Sequence, residues 1–188
     1  MTAEVHSVLV VTKDSKTSSF ISTMLLPPLF ETSVVSDFNE ARRNVTERAF
    51  DIILVDFSDG EGVDFSSDIA DSTSTIILMV PTEHFEQISY KVESYGILTM
   101  TLPFDQFYFY NIIKIAIAVK YKVQVLYSQT TKLKEKMEEI RLVNRAKMLL
   151  ISNLNMSEQE AHHYIEKEAM NRCIKKTVLA EEIIKTYS

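Results

Sequence analysis

The side chains best suited to chemistry fall into two groups. In the first, a single carboxylate, Asp56, closes the apolar run at residues 52–55. Four similar runs, rich in β-branched residues, lie at 7–11, 33–35, 76–80 and 97–100. Polar or turn residues follow them: Thr12, Lys13 and Asp14; then Pro81 and Thr82; then Leu102, Pro103 and Phe104. Mg²⁺ needs a near-octahedral oxygen shell, with carboxylates or phosphates to offset its dehydration. A lone Asp56 beside the Lys13 ammonium supplies little of that, so the expectation is that Lys13 pairs with Asp56 in place of a metal's charge. Asp14 and Thr82 stand one residue away as a further carboxylate and hydroxyl.

The second group lies in the last 45 residues. Arg145, Lys147, Arg172, Lys175 and Lys176 offer donors to phosphates or base edges. His162, His163 and Tyr164 offer flat faces on which unpaired bases can stack. Each has a plainer reading. Arg145 and Lys147 share a helix with Glu138, Glu139 and Arg141 and read equally well as a solvated charged face. Tyr164 sits where a small helical unit needs core. His162 and His163 with Glu158 or Glu166 form no second ligand cluster, so neither a metal nor a cofactor is expected. With only three glycines there is no phosphate loop, and no Ser/His/Asp framework is present, so the chain reads as a non-enzyme.

The first group is positioned by alternation. Stretches of helical spacing separate the five apolar runs, such as Phe20, Ile21, Met24 and Leu25, or Phe85, Ile88 and Val92. That order predicts an α/β domain with a five-stranded parallel sheet covered on both faces, its crevice at the C-terminal strand ends. Over about residues 5–120 the arrangement resembles the flavodoxin-like receiver domain of response regulators. The resemblance places Asp56 where that family carries its phosphorylated aspartate, and Pro103-Phe104 at the end of its Lys-Pro-Phe motif. Thr12 and Lys13 stand where receivers have two acidic residues, Pro81 where they have Ser or Thr, and Leu102 where they have Lys. These departures imply a degenerate receiver, with a phosphorylated Asp56 as the alternative.

From near Asp105 a helical stretch runs without Gly or Pro. Ile112, Val119, Leu126, Leu133 and Ile140 fall on d positions of a heptad, and Ala116, Val123, Thr130, Met137 and Asn144 on a. The average spacing of 3.5 is that of a left-handed coiled-coil seam. Roughly 40 residues at ~1.5 Å each exceed a small domain's diameter, so the helix needs a partner, and a single Asn at a favours a parallel dimer in fixed register. Ser157 followed by Glu160 is a capping box that starts another helix. The Arg145-Ala146-Lys147 stretch, the Ser157-Glu-Gln-Glu-Ala161 helix start, the Ala169-Met-Asn-Arg172 helix and the closing Val178–Ile184 helix together resemble the ANTAR module of transcription antitermination regulators. The resemblance implies binding to paired leader-mRNA hairpins through Arg145, Ala146, Lys147, Ala161, His162, Arg172, Lys175 and Lys176. The organisation read here is 1–120 receiver-like, 106–144 dimerisation helix and 130–188 ANTAR, with Ala161, Ala169 and Ala180 as close helix-packing points and Met148, Leu149, Leu154, Met170, Val178, Leu179, Ile183 and Ile184 as the tail's core.

Composition fits this division. The chain carries net charge −6, yet residues 128–188 hold 11 Lys or Arg against 9 Asp or Glu, and the acidic excess belongs to the first part. A mildly basic tail binds through placed side chains more than through a broad field. One cysteine, Cys173, fits a reducing cytoplasm. No signal peptide is evident, and the best apolar run, 112–119, is far short of the ~20 residues a membrane helix needs. The expected partners are RNA, a second copy of the chain and a regulatory sensor protein, with no membrane. A DNA-binding regulator is the alternative, although the tail lacks the Gly-containing turn usual in helix-turn-helix motifs.

Overall fold

The five apolar runs pair as parallel strands: β1 (His6–Val11), β2 (Phe30–Val35), β3 (Ile52–Asp56), β4 (Thr75–Pro81) and β5 (Leu98–Leu102), in the order β2-β1-β3-β4-β5. The computed structural model describes residues 4–187, which divide into two compact units at Val125 and Leu126. In the first unit, α1 (Ser15–Met24), α2 (Phe38–Glu47), α3 (Glu61–Asp68) and α4 (Phe85–Val92) connect the strands, and α5 (Gln106–Leu154) follows the last. The register Val8↔Ile52, Val10↔Leu54 and Ile52↔Thr75 puts even positions of β1 and β3 on one face, against Ile21 of α1 and Phe109, Ile113 and Ala116 of α5. Leu9, Val11, Ile53 and Val55 face the other way, against Phe38, Ala41, Phe65 and Val92. Both faces are buried, which is why the strands read as continuous apolar runs rather than alternating ones. β2 begins three residues earlier than its apolar stretch, because an edge strand tolerates Glu31 and Thr32.

Asp14, Asp37 and Asp105 fix the starts of α1, α2 and α5 by accepting backbone N–H groups of their first turns. The expectation that α5 presents one seam from Ile112 onward needs correction. Ile112 packs against the first unit's core and Ala116 is fully buried in it, because the turns from Phe109 to Ala116 cover the sheet. Val119 is half-buried, and from Tyr121 to Arg141 every residue is exposed. Leu126, Leu133, Met137 and Ile140 lie in that bare stretch, and Leu133 is 61% exposed.

In the second unit the end of α5 packs with α6 (Glu158–Asn171) and α7 (Lys176–Tyr187). Ser157 and Glu160 form the full capping box: each side chain bonds the other residue's backbone N–H. Leu179 and Ile183, with Ala161, Ala169 and Ala180, are buried in the core as expected, and the rest of it differs. Ala146, Leu150, Ala161, Ile165, Ala169, Leu179, Ala180 and Ile183 fill it, whereas Met148 and Met170 are 66% and 72% exposed and Leu154 and Val178 stay largely in solvent. Alanines let the three backbones approach closely, which turns the long side chains one or two positions away outward.

One buried ion cluster holds α5 to the strands of the first unit. The Lys120 side chain is 3% exposed; its Nζ donates to Glu4 Oε1 at 2.9 Å and lies 3.1 Å from Asp51 Oδ1 and 3.5 Å from His6 Nδ1. The Tyr121 hydroxyl donates to the other oxygen of Glu4 at 2.6 Å, and Asp51 accepts the Ser7 backbone N–H. Burial alone pulls the Lys120 ammonium down, but hydrogen bonds to Glu4 and Asp51 outweigh it and hold the pKa above its ordinary value. Because the folded value is raised, the cluster's contribution is fully present below the ordinary lysine pKa and is lost as pH climbs through the raised one. We predict that Lys120→Met, which strands Asp51 beside an apolar tip, costs about 3 kcal/mol of unfolding free energy near neutral pH, measured by urea titration. The loss should shrink in strongly alkaline buffer, where wild-type Lys120 is itself neutral.

Candidate receiver pocket and RNA-binding face

Asp56 is half-buried at the end of β3, where two hydroxyls meet one of its oxygens. Thr12 Oγ1 donates to Asp56 Oδ2 at 3.0 Å and Ser58 Oγ reaches the same atom at 3.5 Å. Thr12 is in turn fixed by accepting the Asp14 backbone N–H at 3.1 Å. Lys13 is not the partner expected from sequence: its Nζ pairs at 3.0 Å with Glu61 Oε2 and makes no ion pair with Asp56. Glu61 sits in the first turn of α3, where the helix dipole favours a carboxylate, and both partners of this rim pair are more than half exposed.

The remaining crevice residues are also engaged. Asp14 caps α1, accepting from the Thr17 hydroxyl at 2.6 Å and the Thr17 backbone N–H at 2.9 Å. These bonds, the hydroxyl's first, hold its carboxyl below the usual range. The Thr82 hydroxyl donates to the Leu102 carbonyl at 3.0 Å, while Pro81 and Leu102 pair across the ends of β4 and β5. The pocket thus offers one hydroxyl-bonded carboxylate, with its neighbours committed to a cap and to a lysine. That donor set does not fit Mg²⁺.

The chain leaves Asp56 through a tight left-handed turn: Ser58, Asp59 and Gly60 have φ of 44°, 54° and 99°. Two of the three are not glycine, so the turn stores on the order of 1 kcal/mol at each. Gly62 explains how it closes. A Cβ there would stand 1.9 Å from the Asp56 carbonyl oxygen, so the first turn of α3 presses directly on the strand end. The Gly60 and Gly62 N–H groups both donate to the Phe57 carbonyl, at 2.9 and 3.1 Å. The signal was present in the sequence as two glycines one residue apart, in a chain with only three.

In the second unit, three of the basic residues singled out, Lys147, Lys175 and Lys176, converge with His162. One groove of about 860 Å³ is lined by Lys132, Lys136, Lys175 and Lys176, with Glu135 and Glu139 among them. A second, of about 250 Å³, shares Lys136, Glu139 and Lys176 and adds Asn144, Lys147 and His162. Lys132 and Lys136 were not foreseen; their spacing of four residues is what puts them on one face. Lys147 pairs with Glu158 at 3.2 Å, and Lys176 with Glu166 at 2.6 Å, a bond that holds the Glu166 carboxyl below its usual value. Arg172 lines neither groove: it grips Glu182 with two bonds of 2.7 and 3.0 Å. Arg145 and Lys175 are exposed and, among the described residues, have no ion-pair partner. Ala146 and Ala161 are fully buried, so their part is to set helix spacing and not to touch RNA.

The chain's likenesses follow the same division. Residues 131–184 match the ANTAR domain family. The first unit is similar in structure to receiver domains: a CheY-like receiver domain protein from Methanospirillum hungatei (16% identity, TM-score 0.57, covering 63% of this chain and 98% of that one) and the signal receiver domain of an HD domain-containing protein from Pseudomonas fluorescens (15%, 0.58, 66% and 96%). NtrX from Brucella abortus in complex with ADP is similar as well, at 15% identity and TM-score 0.56 over 75% of this chain; the match spans only 30% of NtrX. No curated protein gives a significant sequence match. The molecule therefore joins a unit of receiver fold to a segment, residues 131–184, that matches the ANTAR domain family. Among the described residues, no helix is long and apolar enough to cross a membrane.

Gly62→Ala tests the pressed contact beside Asp56. The added methyl meets a backbone carbonyl that cannot swing aside, and we expect a loss of roughly 1–3 kcal/mol, read as a lower urea midpoint with unchanged slope.

Proposed function

We propose that the protein is an RNA-binding transcription antiterminator that works as a dimer on paired hairpins of leader mRNA. It is governed through a degenerate receiver by a partner protein rather than by phosphorylation. The single observation that carries the RNA reading is the ANTAR match over residues 131–184, within which the lysine-lined grooves lie. In this reading residues 1–120 are the receiver-like domain, 106–144 the dimerisation helix and 130–188 the RNA-binding domain. Arg145, Lys147, His162, Lys175 and Lys176, joined by Lys132 and Lys136, meet phosphates and loop bases, and Arg172 braces α6 against α7 through Glu182.

Support for the dimer comes from the bare stretch of α5. Leu126, Leu133, Met137 and Ile140 remain exposed at heptad spacing, with Asn144 at an a position to fix register. Val119 sits where the free seam begins, and Ile112 drops out of it. Support for a non-phosphorylated receiver comes from the pocket's donor set, with Asp56 bonded to Thr12 and no lysine paired with it.

In gel-shift titrations the protein should bind a two-hairpin leader RNA more tightly than duplex DNA. Lys136→Ala should lower the slope of log affinity against log salt by about 1. Tighter binding to the duplex selects the DNA-regulator reading instead. The double variant Leu133→Asp/Ile140→Asp should sediment as a monomer and lose the advantage of two hairpins over one; a wild-type chain that stays monomeric with its RNA overturns the dimer.

Mixing the protein with Mg²⁺ and a small phosphodonor should leave its intact mass unchanged. A phosphoaspartate at Asp56 would restore the phosphorylation-switched alternative.

A further inference from the structure

The first unit contains a hollow that neither the receiver pocket nor the sheet's core accounts for. It has a volume of about 330 Å³ and lies between the turn joining α1 to β2 and one face of α5. It opens to the surface, and its volume is within the range of small-ligand sites. Leu25, Pro27 and Phe30 form one wall, and Phe109, Ile113 and Ile117 form the other. Leu25, Pro27, Pro28 and Phe30 also line a second, more open depression of about 560 Å³. At the rim Leu26 and Leu29 stay about half exposed, an apolar lip.

Two groups break the hydrocarbon lining in a useful way. Lys114 is exposed, lies 5.4 Å over the Tyr110 ring and, among the described residues, has no carboxylate partner. His6 is buried, and its Nδ1 faces Lys120, so the ring lines the hollow as part of an already bonded cluster. The lining therefore presents an apolar slot with one unpaired cation. No glycine contributes to it, and a single lysine is too little for a polyphosphate, which excludes a nucleotide. The volume is at the small end of ligand sites, which excludes a large cofactor.

We propose that this hollow is a binding site for a small apolar monocarboxylate, its ring or chain held between the Pro27-Pro28 turn and α5 and its carboxylate paired with Lys114. Five of its lining residues belong to α5, so an occupant bears directly on the helix that the ion cluster anchors.

The test uses the full chain with decanoate as probe and decanol as its uncharged counterpart, followed by calorimetry and by amide NMR. We expect one saturable decanoate per chain, with shifts centred on residues 24–30 and 109–117. Lys114→Glu should weaken decanoate up to about fivefold, the yield of one exposed pair, and leave decanol unchanged. Ile117→Trp should fill the hollow and abolish binding of both, with circular dichroism confirming the fold; should that variant misfold, the Lys114→Glu comparison and the NMR map decide alone. Unsaturable uptake of many molecules, shifts elsewhere, or equal affinities of wild type and Lys114→Glu for decanoate would each overturn the proposal. So would sedimentation in which Leu29→Glu abolishes self-association, which would mark the lip as covered by a second copy.

Discussion

A single helix, α5, has to satisfy two cores and cannot satisfy its own middle. Its first turns bury Phe109, Ile113 and Ala116 against the sheet, and its last bury Ala146 and Leu150 against α6 and α7. Between them, residues 121–141 have no cover. Completing the burial of half-exposed Leu126, Leu133, Met137 and Ile140 is worth roughly 1 kcal/mol each, so two chains gain several kcal/mol in all. Association itself costs at least about 4 kcal/mol in lost rigid-body freedom. On the proposed dimer, the seam alone is therefore a modest glue, and an RNA that engages both heads adds to it through effective concentration.

The sheet and the capped start of α6 were legible because each is decided locally. A parallel strand buried on both faces shows as an uninterrupted apolar run, and the Ser157–Glu160 box closes within four residues. The tail's core was not legible in the same way. Ala161, Ala169 and Ala180 were legible as close packing points, but helical spacing around Met148 and Met170 fits several faces, and apolar volume pointed to those large residues where Ala146 and Leu150 fill the core. The Lys13–Glu61 pair and the Lys120 cluster join residues 48 and 116 positions apart, respectively, and only the assembled sheet sets those distances. Heptad counting likewise could not tell that Ala116 serves its own domain before it could serve a partner.

At the receiver pocket, polar accounting explains what type matching left open. Asp56 is accommodated by neutral donors, Thr12 and Ser58, which satisfy one oxygen without cancelling its charge. Lys13 has an alternative carboxylate in Glu61 that is more exposed and closer to a helix start, so pairing there avoids desolvating the ammonium inside the crevice. A hydroxyl at position 12 is thus sufficient to keep the strand end ordered with no metal in the account.

The second unit poses the reverse question, how a nearly neutral surface meets a polyanion. Most of its ion pairs are exposed, and such pairs contribute at most about 1 kcal/mol. Exchanging the Glu166 carboxylate for a phosphate at Lys176 is then close to an even trade, since one anion replaces another at the same donor. Lys132, Lys136 and Lys175 hold no carboxylate among the described residues, so a phosphate reaching them gains contact without any exchange. On the proposed RNA-binding role, charge placement along the grooves matters more than net charge, and the glutamates between the lysines make the fit depend on the spacing of the phosphates.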